Sequence, residues 1–220
     1  MRYFFVADIV IKALVAYLLG SLLGSLIVGK LKGGVDIRQH GSGNAGGTNA
    51  LRTQGWQFAL WVMIIDIGKG WLAAHVLASL HIPFITQSVS EWTAVVCAMA
   101  VVVGHVYPIW FGFRGGKGAA TLVGVVLGLT SAALPWVLGI WLLVLMITGY
   151  VGLSTMIATL CFNFWVLITQ AAPQLQLLTF SVCMTLFVVY THRTNIARML
   201  SGKENRARSL WLFKPRTDNT

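Results

Sequence analysis

The stretch AATLVGVVLGLTSAALPWVLGIWLLVLMITGYVGLSTMIATLCFNFWVLITQAAPQLQLLTFSVCMTLFVVYTH, Ala119–His192, decides the fold. It holds no Lys or Arg and is too long for two membrane helices of about 20 residues each. Pro135, Gly149 and Pro173 divide it into segments near 119–133, 135–148, 150–170 and 174–191, because proline and glycine interrupt helices. Upstream, the apolar runs Tyr3 to Val28, Trp56 to Leu80 and Trp92 to Phe111 each reach the roughly 18 residues that cross a bilayer. The pattern predicts an all-α, polytopic integral membrane bundle of about seven transmembrane helices, with 119–133 the shortest.

Composition agrees. Of 220 residues, 57% are hydrophobic and 10% charged, against roughly 25% charged in a soluble domain. Too few charges remain to wet a globule of this size, so a soluble protein is excluded. Lys and Arg number 16 against 6 Asp and Glu, a net +10. That excess often marks a nucleic-acid binder, but these cations flank apolar spans, so no nucleic acid is expected and anionic lipid or substrate fits better. Cys97, Cys161 and Cys183 lie singly in apolar runs and read as buried free thiols, with neither a disulfide framework nor a metal site.

Apart from Arg2, Lys12 and Lys69, the cations cluster in three places: Lys30, Lys32, Arg38 and Arg52; Arg114 and Lys117; and Arg193 through Arg216. Short cation-rich loops stay in the cytoplasm, which puts 29–55, 112–118 and the basic tail 192–220 on that side, the N-terminus outside and the C-terminus in the cytoplasm. Asp8 and Lys12 interrupt the first run and no A-x-A site follows, so it reads as a retained helix instead of a cleaved signal peptide. No repeat and no second domain is evident, and residues 1–220 read as one transmembrane domain.

Three polar segments carry chemistry. The first is Gly41-Ser42-Gly43-Asn44-Ala-Gly46-Gly47-Thr48-Asn49-Ala-Leu-Arg52. It matches G-x-G-x-x-G formally, but no strand precedes it and no βαβ unit surrounds it, so it is no dinucleotide site. Its closely spaced glycines let backbone N–H groups approach an anion, and Arg52 offers a bidentate fork for phosphate oxygens. The second runs from Gly104-His105 through Pro108 to Arg114-Gly115-Gly116-Lys117-Gly118. Phe111 and Gly118 rule out a Walker A loop, yet an ammonium and free N–H groups at a helix start suit an anion. In the third, Asn195 and Arg198 lie three and six residues after His192 and can share a helix face with it. Taken alone it reads equally as a site or as a juxtamembrane basic anchor, and the tail beyond Lys203 reads as that anchor.

Asp66 and Lys69, three apart inside an apolar run, are either a functional site or, more simply, a mutually paired structural couple. The small-residue pairs Gly20/Gly24 and Gly124/Gly128 read as helix-packing surfaces.

Together the three segments resemble the bacterial membrane-bound acyl-phosphate:glycerol-3-phosphate acyltransferases, the PlsY family, over nearly the whole chain. Gly41-Ser-Gly-Asn44 through Arg52 is similar to its first motif, Gly104-His105, Pro108 and Gly115-Gly-Lys-Gly118 with Thr121 to its second, and His192-Arg193-x-Asn195-Ile-x-Arg198 to its third. Gly152 departs from the family by replacing a usual Ser, with Thr155 a nearby hydroxyl, and Thr194 replaces a usual acid. The resemblance implies transfer of a fatty acyl group from acyl phosphate to the sn-1 hydroxyl of glycerol 3-phosphate, with lysophosphatidic acid and phosphate as products. It also implies a bacterial cytoplasmic membrane, a cytoplasm-facing site among membrane lipids, and no metal or organic cofactor.

Catalytic roles are expected for His192, Asn195, Lys117 and Ser42. Substrate binding is expected of Gly41, Gly43, Asn44, Thr48, Asn49, Arg52, His105, Gly115, Gly116, Thr155, Arg193 and Arg198. Acyl phosphate is a mixed anhydride with a good leaving group, so positioning and oxyanion stabilisation suffice without a covalent acyl-enzyme. The base is His192, His105 or a substrate phosphate oxygen. An acyl-CoA enzyme using a His-x4-Asp pair is disfavoured, because no His here has Asp five positions later. A phosphate-ester permease is disfavoured by the one-sided placement of the polar segments, and a bare scaffold leaves the Gly/Ser/Asn loop unexplained.

Overall fold

The computed structural model describes residues 2–83, 85–86, 90–169 and 174–213, with side chains from residue 6 onward. Pro173, Lys214 and Arg216, named above, lie outside them. The described residues form helices and no strand: α1 Arg2–Gly20, α2 Gly24–Leu31, α3 Gly47–Gln54, α4 Trp56–Trp71, α5 Glu91–Val106, α6 Ala119–Leu129, α7 Leu134–Thr148, α8 Val151–Thr169, α9 Gln174–Thr191 and α10 Arg193–Leu200. A π-helical turn, Leu72–Leu77, continues α4. Pro135 sits in the first turn of α7, where its missing N–H costs nothing. Ser90 caps α5 by accepting the Trp92 N–H at 3.2 Å, and Glu91 complements the helix dipole.

Five helices are long and apolar enough to cross a bilayer, or six if the bent pair α1–α2 counts as one span. The shortest expected span, 119–133, contains only α6, 11 residues and about 16 Å long at ~1.5 Å per residue, followed by a 3-10 turn at Ser131–Ala133. The segment 29–55 is less of a loop than expected, since it contains α3.

The expected continuous helix from Tyr3 to Val28 is instead broken, with α1 and α2 meeting at 44°. The cause is Asp66–Lys69, a buried ion pair at 2.8 Å on α4. Lys69 Nζ donates to the carbonyls of Gly20 (3.0 Å) and Leu22 (2.8 Å), and Asp66 Oδ1 accepts the Gly24 N–H (3.2 Å). The cation therefore meets the negative end of α1 and the anion the positive end of α2, which satisfies backbone groups that a break inside a membrane would orphan. The couple is paired, as the simpler reading expects, but its partners extend beyond itself.

A second buried pair, Asp8–Lys12 at 3.1 Å, occupies α1. Lys12 also donates to the Ala78 carbonyl at 3.2 Å, next to the π-helical turn, and Asp8 accepts from the Thr86 hydroxyl. These two charges close the far end of α1 against α4 and the loop after it.

The expected glycine surfaces are packing surfaces. A methyl group on Gly20 would collide with the Val101 carbonyl of α5, and one on Gly124 with the Ile67 carbonyl of α4. Between α8 and α9 the contact is polar: Asn163 donates to Thr185 (2.9 Å) and accepts from Ser181 (2.8 Å), the interhelical hydrogen bonding that apolar surroundings favour. The core joins α1, α5, α6, α8 and α9 through residues such as Ala16, Val101, Val125, Phe162 and Phe180. Outward faces carry bare apolar side chains, among them Phe164, Ile168 and Leu186, as hydrocarbon requires. The three cysteines are unpaired, but only Cys97 is buried, while Cys161 is half-buried and Cys183 exposed.

Candidate functional site

The first polar segment is shaped from within by Asn49. This side chain is buried at the start of α3, and its amide donates to the carbonyls of Ile37 (2.9 Å) and His40 (3.0 Å) while its Oδ1 accepts the Ser42 N–H (2.9 Å). The loop must curl tightly around it, and Gly41 and Gly43 take left-handed φ of +60° and +71° to do so. Ser42, Gly43 and Asn44 are thereby presented outward. Arg38 pairs with Asp36 at 2.8 Å and donates to the carbonyls of Phe111 (3.1 Å) and Arg114 (3.0 Å), so this cation locks the first segment onto the second. Its guanidinium holds the Asp36 carboxyl below the usual range.

The second segment is built on the end of α5. Gly115 and Gly116 donate their N–H groups to the carbonyls of Val106 and His105, both at 3.1 Å. Gly116 lies so close to the His105 imidazole that any side chain there would overlap the ring. Lys117 follows, just before α6. Its ammonium donates to the Asn195 Oδ1 and, at 3.4 Å, to the Thr194 hydroxyl. Burial, with Arg198 and Arg193 adding to it, pushes the Lys117 pKa down to about 8.

The third segment begins at the foot of α9. His192 is buried, with Nδ1 2.9 Å from the Val188 carbonyl, so Nδ1 carries the proton and Nε2 is bare. Burial, helped by Lys117, pushes its pKa down to about 4 and keeps the ring neutral near pH 7. Asn195 bridges Lys117 to Glu204, donating to Glu204 Oε1 at 2.8 Å, and Arg198 binds Glu204 Oε2 at 2.6 Å. A Cβ on Gly152 would lie 3.1 Å from the Asn195 amide, so the residue that departs from the family is the neighbour of this side chain. Arg193 lies over the Tyr190 ring, 4.4 Å from its centroid.

Glu204 is a residue that sequence reasoning missed. It reaches the site because the tail folds back. Ala207 donates to the Gly149 carbonyl (2.8 Å), Leu212 to that of Met146 (2.9 Å), and Trp211 Nε1 to that of Ile147 (3.1 Å). Arg206 is held between the rings of Tyr150 and Trp211, at 4.6 and 4.0 Å. A single acid between Arg193 and Arg216 was the available signal.

These segments enclose a cavity of about 230 Å3 lined by Ser42, Gly43, Asn44, Val106, Tyr107, Gly116, Lys117, Thr191, Arg193, Thr194 and Arg198. All three motifs contribute, and among the described residues no carboxylate lines it. Of the residues expected from sequence, Ser42, Gly43, Asn44, Gly116, Lys117, Arg193 and Arg198 are on the wall. Gly41, Asn49, Gly115, His192 and Asn195 stand behind it as supports. His105 is also behind it, buried with Nδ1 2.9 Å from Lys69 Nζ, so that nitrogen is already committed. Thr48 and Arg52 are exposed on α3, off the wall, and the Thr155 hydroxyl is spent on the Val151 carbonyl (3.0 Å) and on Trp141 Nε1 (3.2 Å). Tyr107 and Thr191 line the cavity without having been expected. Among the described residues, no three His, Cys, Asp or Glu are grouped to hold a metal ion.

Such a wall, with three cations and small polar side chains, is chemically suited to phosphate oxygens. Comparison with known proteins agrees. A family model described as glycerol-3-phosphate acyltransferase matches residues 10–202. The glycerol-3-phosphate acyltransferase of Chlorobaculum tepidum is 37% identical over 216 residues, covering 87% of this chain and 93% of its own. That of Chlorobium limicola is 36% identical over 219 residues, with the same coverage. Two crystal structures of PlsY, an integral membrane glycerol 3-phosphate acyltransferase, superpose with a TM-score of 0.79 each. The glycerol 3-phosphate form is 33% identical and covers 90% of this chain and 94% of its own; the lysophosphatidic acid form is 32% identical and covers 94% and 99%. The chain belongs to the glycerol-3-phosphate acyltransferase family and is an integral membrane acyltransferase.

Proposed function

We propose that this protein transfers a fatty acyl group from acyl phosphate directly to the sn-1 hydroxyl of glycerol 3-phosphate, yielding lysophosphatidic acid and inorganic phosphate. The observation that carries this reading is the convergence of three sequence-distant segments on one cavity whose wall holds Lys117, Arg193 and Arg198. Two phosphate-bearing substrates bring about four negative charges, which must be offset before the reacting atoms approach to ~3.5 Å. The cavity's volume suits polar heads, and the acyl chain is left to the apolar side, where Tyr107, Phe187 and Tyr190 pack edge to face and stacked.

In this reading Ser42, Gly43 and Asn44 hold the acyl-phosphate head, with Gly41 and Asn49 shaping their loop. Lys117 offsets phosphate charge, with Gly116 fixing its place against the His105 carbonyl. Arg193 and Arg198 face the second phosphate, and His192 and Asn195 orient glycerol 3-phosphate. The sn-1 oxygen attacks the acyl carbonyl carbon, the bond from that carbon to the phosphate oxygen breaks, and phosphate leaves with its electron pair. The hydroxyl proton passes to a phosphate oxygen: His105 lies behind the wall with Nδ1 held by Lys69, and burial pushes the His192 pKa down to about 4, which weakens that ring as a base. No covalent acyl-enzyme is needed, because the donor is already activated.

The cation clusters support a cytoplasmic site in the bacterial inner membrane, with seven crossings, the N-terminus outside and one domain over the whole chain. The test is phosphate release by the purified protein, given palmitoyl phosphate with and without glycerol 3-phosphate, and palmitoyl-CoA as alternative donor. Release that needs glycerol 3-phosphate and fails with the CoA donor is expected. Equal turnover of palmitoyl-CoA would overturn the donor assignment, and solute uptake into liposomes without turnover would return weight to a permease.

A further inference from the structure

Asp66, Lys69 and His105 form a buried group of charged and titratable side chains, and none of them lines the cavity. Their mutual attraction alone is a weak reason for burying them. A buried ion pair is often no better than apolar residues of equal volume, because desolvation offsets the attraction. What charges do here, and apolar residues cannot, is hold backbone groups in place. Lys69 Nζ reaches the Gly20 and Leu22 carbonyls, at 3.0 and 2.8 Å, and His105 Nδ1 at 2.9 Å. Asp66 Oδ1 takes the Gly24 N–H at 3.2 Å and lies 3.5 Å from His105 Nδ1. The break in the first span and the end of α5 thus meet at one point.

Both phosphate-facing loops are tied to that point, the second directly and the first through α2. The helix α2 leads into the segment that presents Ser42, Gly43 and Asn44. At the end of α5, the His105 carbonyl accepts the Gly116 N–H at 3.1 Å and the Nε2 end of its ring abuts Gly116, one residue before Lys117. His105 therefore bears on the position of Lys117, and the break bears on that of Ser42 through α2.

We propose that Asp66 and Lys69 are positioning residues for acyl transfer: by pinning the broken first span to His105 they fix the separation between the Ser42–Asn44 loop and Lys117. The proposal rests on the reading of Lys117 as the counter-charge to substrate phosphate. It differs from that reading in assigning catalytic consequence to residues that touch neither substrate nor cavity. A misplacement near 1 Å costs on the order of 10²-fold in rate.

The experiment is a double-mutant cycle. One arm is Asp66→Asn combined with Lys69→Met, which leaves no uncompensated buried charge; the other is Lys117→Ala. Each variant and their combination are purified in detergent, checked for a monodisperse elution peak, and assayed for kcat/KM with palmitoyl phosphate at saturating glycerol 3-phosphate. The expected result is a loss of at least about tenfold from the Asp66/Lys69 change in the wild-type background, shrinking to about twofold or less once Lys117 is Ala, as coupled residues behave. A purely structural role predicts that the two losses multiply, and that outcome in folded protein overturns the proposal. If the Asp66/Lys69 variant does not fold, His105→Leu takes its place in the same cycle, and wild-type kcat/KM in folded His105→Leu protein also overturns it. A Lys117→Ala enzyme with wild-type rate would overturn the reading of Lys117, and the proposal with it, which separates the two failures.

Discussion

Lys117 is the cation most committed to the cavity, because burial has already lowered its hold on the proton. As pH rises through about 8 its ammonium is lost, so kcat/KM for acyl phosphate should be high below that value and decline above it. Lys117→Arg keeps its charge at any practical pH and should move the decline upward; an unchanged pH profile in that variant would remove Lys117 as its source. Lys117→Ala should lower kcat/KM by about 10² to 10³, the range for loss of one charge-stabilising donor, with an unaltered elution profile. Glu204→Ala should leave the Asn195 amide and the Arg198 guanidinium without their partner, at a cost of about 1–3 kcal/mol, measured as a lower unfolding temperature in detergent.

The residues on the cavity wall were largely legible, since glycines, small polar side chains and cations near apolar spans announce an anion site. Which polar side chains face inward was not. Asn49 and His105 looked like ligand contacts but are consumed by backbone carbonyls and by Lys69. A buried polar group must be satisfied locally, and sequence does not reveal the partner.

At the scale of the helix, the small residues set how near two segments can come. Gly124→Val would drive a branched side chain into the Ile67 carbonyl, and α4 and α6 would have to separate. Loss of the monodisperse peak is expected, whereas Gly139→Val, which meets nothing within 4 Å, should be tolerated; equal behaviour of the two would contradict the packing. Helix positions were readable because cations mark the ends of apolar runs and Pro135 marks the start of α7. The break after Gly20 was hidden, because its cause lies more than 40 residues away on α4, and hydropathy alone sees Tyr3 to Val28 as continuous. The π-helical turn at Leu72–Leu77 was hidden as well, since hydropathy does not distinguish it from the α-helix it continues.

For the whole molecule, the fold class followed from composition, since a chain with 10% charged residues has few other ways to satisfy its backbone than helices in a bilayer. Orientation is testable directly. A cysteine introduced at Lys203 should react with a membrane-impermeant maleimide only in inside-out vesicles, and one at Ser90 only in right-side-out vesicles; the opposite pattern would invert the proposed topology. The returning tail gives such work a practical edge. Gly202 ends the segment shared with the family model, and it looks like a natural point for attaching a reporter protein. A fusion there would discard Glu204 and the Arg206 clamp, so its localisation would report faithfully on an enzyme that the fusion itself had disarmed. Attachment after residue 213 keeps the strap seated and lets one molecule answer both questions.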